Sequence, residues 1–73
     1  MMKIKIKQGF KGIIKSIDEN HPAAQRLLEM GLTPNTHLHV KHTAFMGDPI
    51  VIEVRNYQLA VRKKDLESVI FKD

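Results

Sequence analysis

Pro22-Ala23-Ala24-Gln25-Arg26-Leu27-Leu28-Glu29-Met30-Gly31-Leu32 is the stretch that breaks an otherwise strand-like pattern, and its reading decides the fold. Ala23, Ala24, Leu27 and Leu28 recur at helical spacing. Pro22 suits a first helical turn, where its missing N–H would find no partner in any case. Gly31 supplies the left-handed residue wanted just past a helix end. It also sets Leu32 against Leu27, the pair that closes a Schellman motif. The spacing predicts a helix over Pro22–Met30. A helix this short does not persist alone in water, so Leu27 and Leu28 are expected to pack on the rest of the domain and plug an open end.

On both sides of that helix the period is two. Ile4 and Ile6 alternate with Lys3, Lys5 and Lys7. Ile13, Lys15 and Ile17 alternate with Gly12, Ile14 and Ser16, which predicts a strand with apolar groups on both faces. Leu38 and Val40 alternate with His37, His39 and Lys41. Ile50, Ile52 and Val54 alternate with Val51, Glu53 and Arg55, and Leu59 and Val61 with Gln58, Ala60 and Arg62. Val69-Ile70-Phe71 is a last apolar run. Turn chemistry separates these runs. Thr33-Pro34-Asn35-Thr36 has Pro second and Asn third, where positive φ is tolerated. Gly47-Asp48-Pro49 precedes a central strand, and Arg55-Asn56-Tyr57 reads as a tight reversal with Asn56 left-handed. Lys63-Lys64-Asp65-Leu66 reads as one 3₁₀-type turn. The expectation is a mainly β, single-domain chain over residues 1–73: a small SH3-like β-barrel of five to six strands with one inserted helix. Gly9 and Gly12 are expected where backbone packs closely in a curved strand.

The chain has 73 residues, no cysteine and a net charge of +4. No disulfide, thiolate metal site or thiol nucleophile can form, and so small a domain must rely on its apolar core or on a partner. No apolar stretch approaches the roughly 20 residues of a spanning helix. The alternating start Met1-Met2-Lys3-Ile4-Lys5-Ile6 is unlike a signal peptide, so the protein is expected to stay where it is made. Neither Ser16 nor Ser68 lies in a nucleophile-elbow context. Gly9-Phe10-Lys11-Gly12 lacks the G-K-[ST] that completes a phosphate loop. The chain reads as a binding module rather than an enzyme. Single-strand nucleic-acid binding is the main rival, but base stacking needs aromatic platforms, and the chain has one tyrosine, three phenylalanines and no tryptophan.

Two groups of residues are candidates for function. His37 and His39, two apart on one strand, point to one face, with His42 expected on the other. With Glu53 on the next strand they are weak candidates for a ferrous site, the ligand types of a two-histidine, one-carboxylate centre. No third ligand or second shell is evident, so an exposed strand face is the better reading, and no cofactor is expected beyond weak Fe²⁺ binding. The second group is Phe45, Met46, Gly47, Asp48 and Pro49, in a loop expected to be exposed. Aromatic and methionine side chains favour interface cores. Arg26 and Met30 on the helix are expected to extend that surface. Exposed strand edges also permit weak homo-oligomers.

In order along the chain, Gly9-x-x-Gly12, Arg26-Leu27-Leu28-Glu29-Met30-Gly31-Leu32-Thr33-Pro34, Gly47-Asp48-Pro49-Ile50 and Leu59-Ala60-Val61-Arg62-Lys63-Lys64-Asp65 form one set of landmarks. In that order the chain resembles the ferrous iron transport protein A (FeoA) family over nearly its whole length. The same fold occurs as the C-terminal domain of metal-dependent repressors, which makes a metal-sensing or nucleic-acid-binding barrel the alternative. Asn35 and Asn56 stand where the family usually has Gly, and Asn is the non-glycine residue best suited to left-handed φ. The resemblance implies a cytoplasmic accessory protein of ferrous iron uptake, binding or regulating the membrane ferrous iron transporter FeoB. It would then be peripheral to the inner membrane through that partner.

Overall fold

The elements follow one another as β1 (Lys11–Ile17), α1 (Ala24–Glu29), β2 (His37–Thr43), a 3₁₀ turn (Phe45–Gly47), β3 (Ile50–Val54), β4 (Tyr57–Val61), α2 (Lys63–Leu66) and β5 (Val69–Phe71). The computed structural model describes residues 6–73 and, of Phe45, the backbone only. The alternation over Lys3–Lys7 therefore falls outside the described residues, apart from Ile6 and Lys7, which are not in a strand. The strands form one five-stranded antiparallel sheet in the order β4-β3-β2-β1-β5. The expected barrel is thus an open one. Among the described residues β4 and β5 end the ladder and do not pair with each other.

Two bulges shape the sheet. The β1–β5 register shifts between Ile14 and Ser16, and the β2–β3 register shifts between Val40 and His42. In β1 the shift brings Ile14 (0% exposed) and Ile17 (7%) to the core although strict alternation would separate them. In β2 it carries His42 opposite Val51, just as His39 lies opposite Glu53. Directly opposed residues share a face. His42 therefore joins His37 and His39 on the outer face instead of leaving them, and the bulge is the reason.

Helix α1 is shorter than the sequence predicts. It begins at Ala24, after a turn in which His21 Nδ1 accepts from the Ala23 N–H (3.1 Å) and the His21 carbonyl from the Ala24 N–H (3.0 Å). That turn holds Pro22 outside the helix. The C-terminus is as expected: Leu32 N–H donates to the Leu27 carbonyl (3.0 Å) and Gly31 N–H to the Leu28 carbonyl (3.0 Å). Gly31 has φ +102°, which explains the glycine. Leu27 and Leu32 are buried with Leu38, Val40 and Ile52, while Leu28 packs half-buried against that core.

The turns follow the sequence with two differences. Asn35 (φ 71°) and Asn56 (φ 70°) are left-handed as expected, but so is Arg55 (φ 47°). Two successive positive-φ residues make a two-residue hairpin loop between β3 and β4. The segment before β5 is an α-turn rather than a 3₁₀ turn, because Leu66 and Glu67 N–H bond four residues back, to the carbonyls of Arg62 and Lys63. Close packing holds at Gly12, where an added Cβ would lie 2.8 Å from Phe71. At Gly9 the requirement is instead a φ of +90°.

Candidate binding surfaces

Loop 44–49 joins β2 to β3. Its ends are drawn together by the Ala44 N–H, which donates to the Pro49 carbonyl (2.9 Å), and Gly47 N–H donates to the Ala44 carbonyl (2.8 Å). Met46, left-handed at φ 67°, stands 85% exposed at the tip. An apolar side chain so placed gains nothing from burial. Asp48 faces the other way. Its Oδ1 accepts from the Lys63 N–H (2.9 Å) and its Oδ2 lies 3.3 Å from Arg62. The loop is thereby tied to α2.

Helix α2 in turn holds α1. The Arg26 guanidinium donates to Asp65 Oδ2 at 2.6 Å, and the Asp65 side chain is only 10% exposed against 63% for Arg26. Asp65 is the buried half of that bridge. Arg26 is thus connected to the loop through Asp65, Lys63 and Arg62, none of which was a site candidate in the sequence. An acid in the first turn of a short helix was the available signal. Met30 contributes differently: its side chain packs half-buried against the core, and its carbonyl accepts from the Tyr57 hydroxyl.

The outer face of β1, β2 and β3 forms a second surface, an open groove of about 660 Å³. Lys11 lies opposite His39 and His39 opposite Glu53, while His37 lies two pairs along, opposite Ile13. The structure thus brings His37, His39 and Glu53 to one groove. Among the described residues, however, no three His, Asp or Glu side chains stand close enough together to hold a metal ion. At the groove's end Arg55 donates to the Gly31 carbonyl (3.2 Å), Thr33 Oγ1 (2.6 Å) and Thr36 Oγ1 (2.9 Å). No helix among the described residues is long and apolar enough to cross a membrane.

These landmarks recur in known proteins. A family model, the FeoA domain, matches residues 5–72. The FeoA-like protein of Clostridium acetobutylicum is 24% identical with TM-score 0.86, over 93% of this chain and 79% of that one. An iron uptake regulatory protein (FeoA) is 35% identical with TM-score 0.78, over 93% and 88%. Stenotrophomonas maltophilia FeoA, solved with zinc and described as a prokaryotic SH3 domain protein, is 18% identical with TM-score 0.79, over 93% and 85%. The first and last of these likenesses speak to the fold, which is SH3-like. The family match spans every described element from β1 to β5, and by it the chain belongs to the FeoA family.

Proposed function

We propose that this chain is an accessory binding module of ferrous iron transport that docks on the membrane ferrous iron transporter FeoB and regulates it from the cytoplasmic side. Family membership supports the iron-transport part of the reading. So do two relatives, one named an iron uptake regulatory protein and one put forward as a ferrous iron transport activating factor. The observation that carries the docking site is Met46, an apolar side chain held out on a loop that Asp48 ties to α2. Exposed apolar side chains are typical interface anchors, and Arg62, 3.3 Å from Asp48 of the same loop, adds a cation to that side of the molecule.

The experiment is co-purification with membranes containing the transporter, at two salt concentrations. Met46→Asp is expected to weaken capture about tenfold or more with the domain still folded. Unchanged capture would move the interface elsewhere. The same preparation separates the metal reading: tight stoichiometric Fe²⁺ binding, lost when His37 and His39 are both changed to Ala, would put a metal site ahead of docking. Nucleic-acid binding draws less support. Phe10 and Phe71 pack edge to face with centroids 5.0 Å apart, and the Tyr57 hydroxyl is bonded to α1. That leaves Tyr57, 42% exposed, as the Phe or Tyr ring most open to solvent among the described side chains, too small a platform to stack successive bases.

A further inference from the structure

Among the described residues, the outer edge of β4 has an unmet hydrogen-bonding row. With a two-residue loop at Arg55-Asn56, Val54 and Tyr57 exchange ladder bonds, as do Ile52 with Leu59 and Ile50 with Val61. The N–H and C=O groups of Gln58 and Ala60 therefore point away from β3. Among the described residues none of these groups has a backbone partner beyond the sheet.

Edges of this kind are normally blunted by Pro, by Lys or by a bulge. Tyr57-Gln58-Leu59-Ala60-Val61 has no Pro and no charge, and its pairing with β3 runs without a register shift. The opposite edge, β5, is only three residues long. Charge is concentrated at the two ends of β4 instead. Arg55 precedes it, and its hydrogen bonds all end on neutral oxygens. Exposed Arg62, Lys63 and Lys64 follow it. Leu59 lies half-buried at the centre, packed on the core but incompletely covered.

We propose that the outer edge of β4 accepts an extended peptide as an added strand, with an acidic residue at each end and an apolar residue at its centre. The backbone bonds supply attachment, Leu59 selects the central side chain, and the flanking cations select the ends. A strand spanning five residues at about 3.3 Å each needs about seven residues to reach both charged ends. A second copy of this chain fits less well. Two β4 edges related by a two-fold axis would set Arg55 of one copy beside Arg62 and Lys63 of the other. This inference is independent of the iron-transport reading.

The test is amide hydrogen exchange of the full chain, with and without a blocked heptapeptide: glutamate at both ends, isoleucine in the centre, threonine elsewhere. The Gln58 and Ala60 amides are expected to exchange freely alone and to slow by about tenfold or more on saturation. The same peptide with lysine ends should bind about tenfold more weakly. Gln58→Pro removes an outward N–H without costing a ladder bond and should abolish binding. Should that variant fail to fold, Lys63→Glu combined with Lys64→Glu should reverse the preference between the two peptides. Three results overturn the proposal. They are slow exchange of Gln58 and Ala60 in the free chain at all concentrations, protection that grows with protein concentration as a second copy would give, and peptide effects confined to loop 44–49.

Discussion

Two places among the described residues hold non-glycine residues at positive φ, and they are built in opposite ways. At the corner where the α1–β2 turn meets the β3–β4 loop, Asn35 (φ 71°), Arg55 (φ 47°) and Asn56 (φ 70°) line one end of the groove, with Arg55 against Gly31. Side chains knit that corner: Arg55 reaches Gly31, Thr33 and Thr36, the two threonine hydroxyls are 3.0 Å apart, and Tyr57 bonds to Met30. At the tip of loop 44–49, Met46 (φ 67°) and Gly47 (φ 81°) sit side by side. There the Met46 side chain extends into solvent. A left-handed conformation costs a non-glycine residue about 1–2 kcal/mol. The corner offsets that cost with contacts inside the chain. The tip does not, which is the pattern of a residue kept for what it presents.

Paired substitutions test the contrast directly, by denaturant unfolding. Gly31→Ala should have the largest effect, about 2–4 kcal/mol, because the new Cβ would stand 2.6 Å from the Tyr57 hydroxyl as well as in a left-handed position. Thr36→Val should follow at about 1–2 kcal/mol, since buried Thr36 accepts from Arg55 and the valine cannot. Gly47→Ala should cost about 1 kcal/mol, because its positive φ is strained but nothing lies within 4 Å of an added Cβ. Met46→Gly should change stability by less than about 0.5 kcal/mol, because relief of the left-handed backbone is offset by the freedom glycine adds to the unfolded chain. Equal losses for the two glycine variants would mean that the corner's contacts do not hold it, and a loss above about 1 kcal/mol at Met46 would mean that its side chain packs.

What could be read in advance was local. Gly31 and the Leu27–Leu32 pair are five residues apart, so the helix end was legible from spacing alone, as were the left-handed asparagines. The helix start was not, because His21 and not Pro22 organises it. Nor was the Arg55 latch, whose acceptors lie on another element and leave no periodic trace. The loop around Met46 was legible as exposed because its composition interrupts two strands. Its tie to α2 through Asp48 depends on residues brought together only by the fold. The face occupied by His42 was misread because alternation assumes an unbroken pleat.

That break in the pleat has a further consequence. Each of the two bulges falls at a lysine: Lys15 between Ile14 and Ser16, Lys41 between Val40 and His42. Each acts as a one-letter insertion in the reading frame of its strand, adding a residue so that the downstream side chains return to their proper sides. Pairing straight through Lys41 without the bulge would turn His42 inward beside Val40 while expelling Thr43. Pairing straight through Lys15 would likewise set Ile17 against the solvent. In a chain this short, where the pleat breaks decides which side chains reach the core as much as their order in the sequence does.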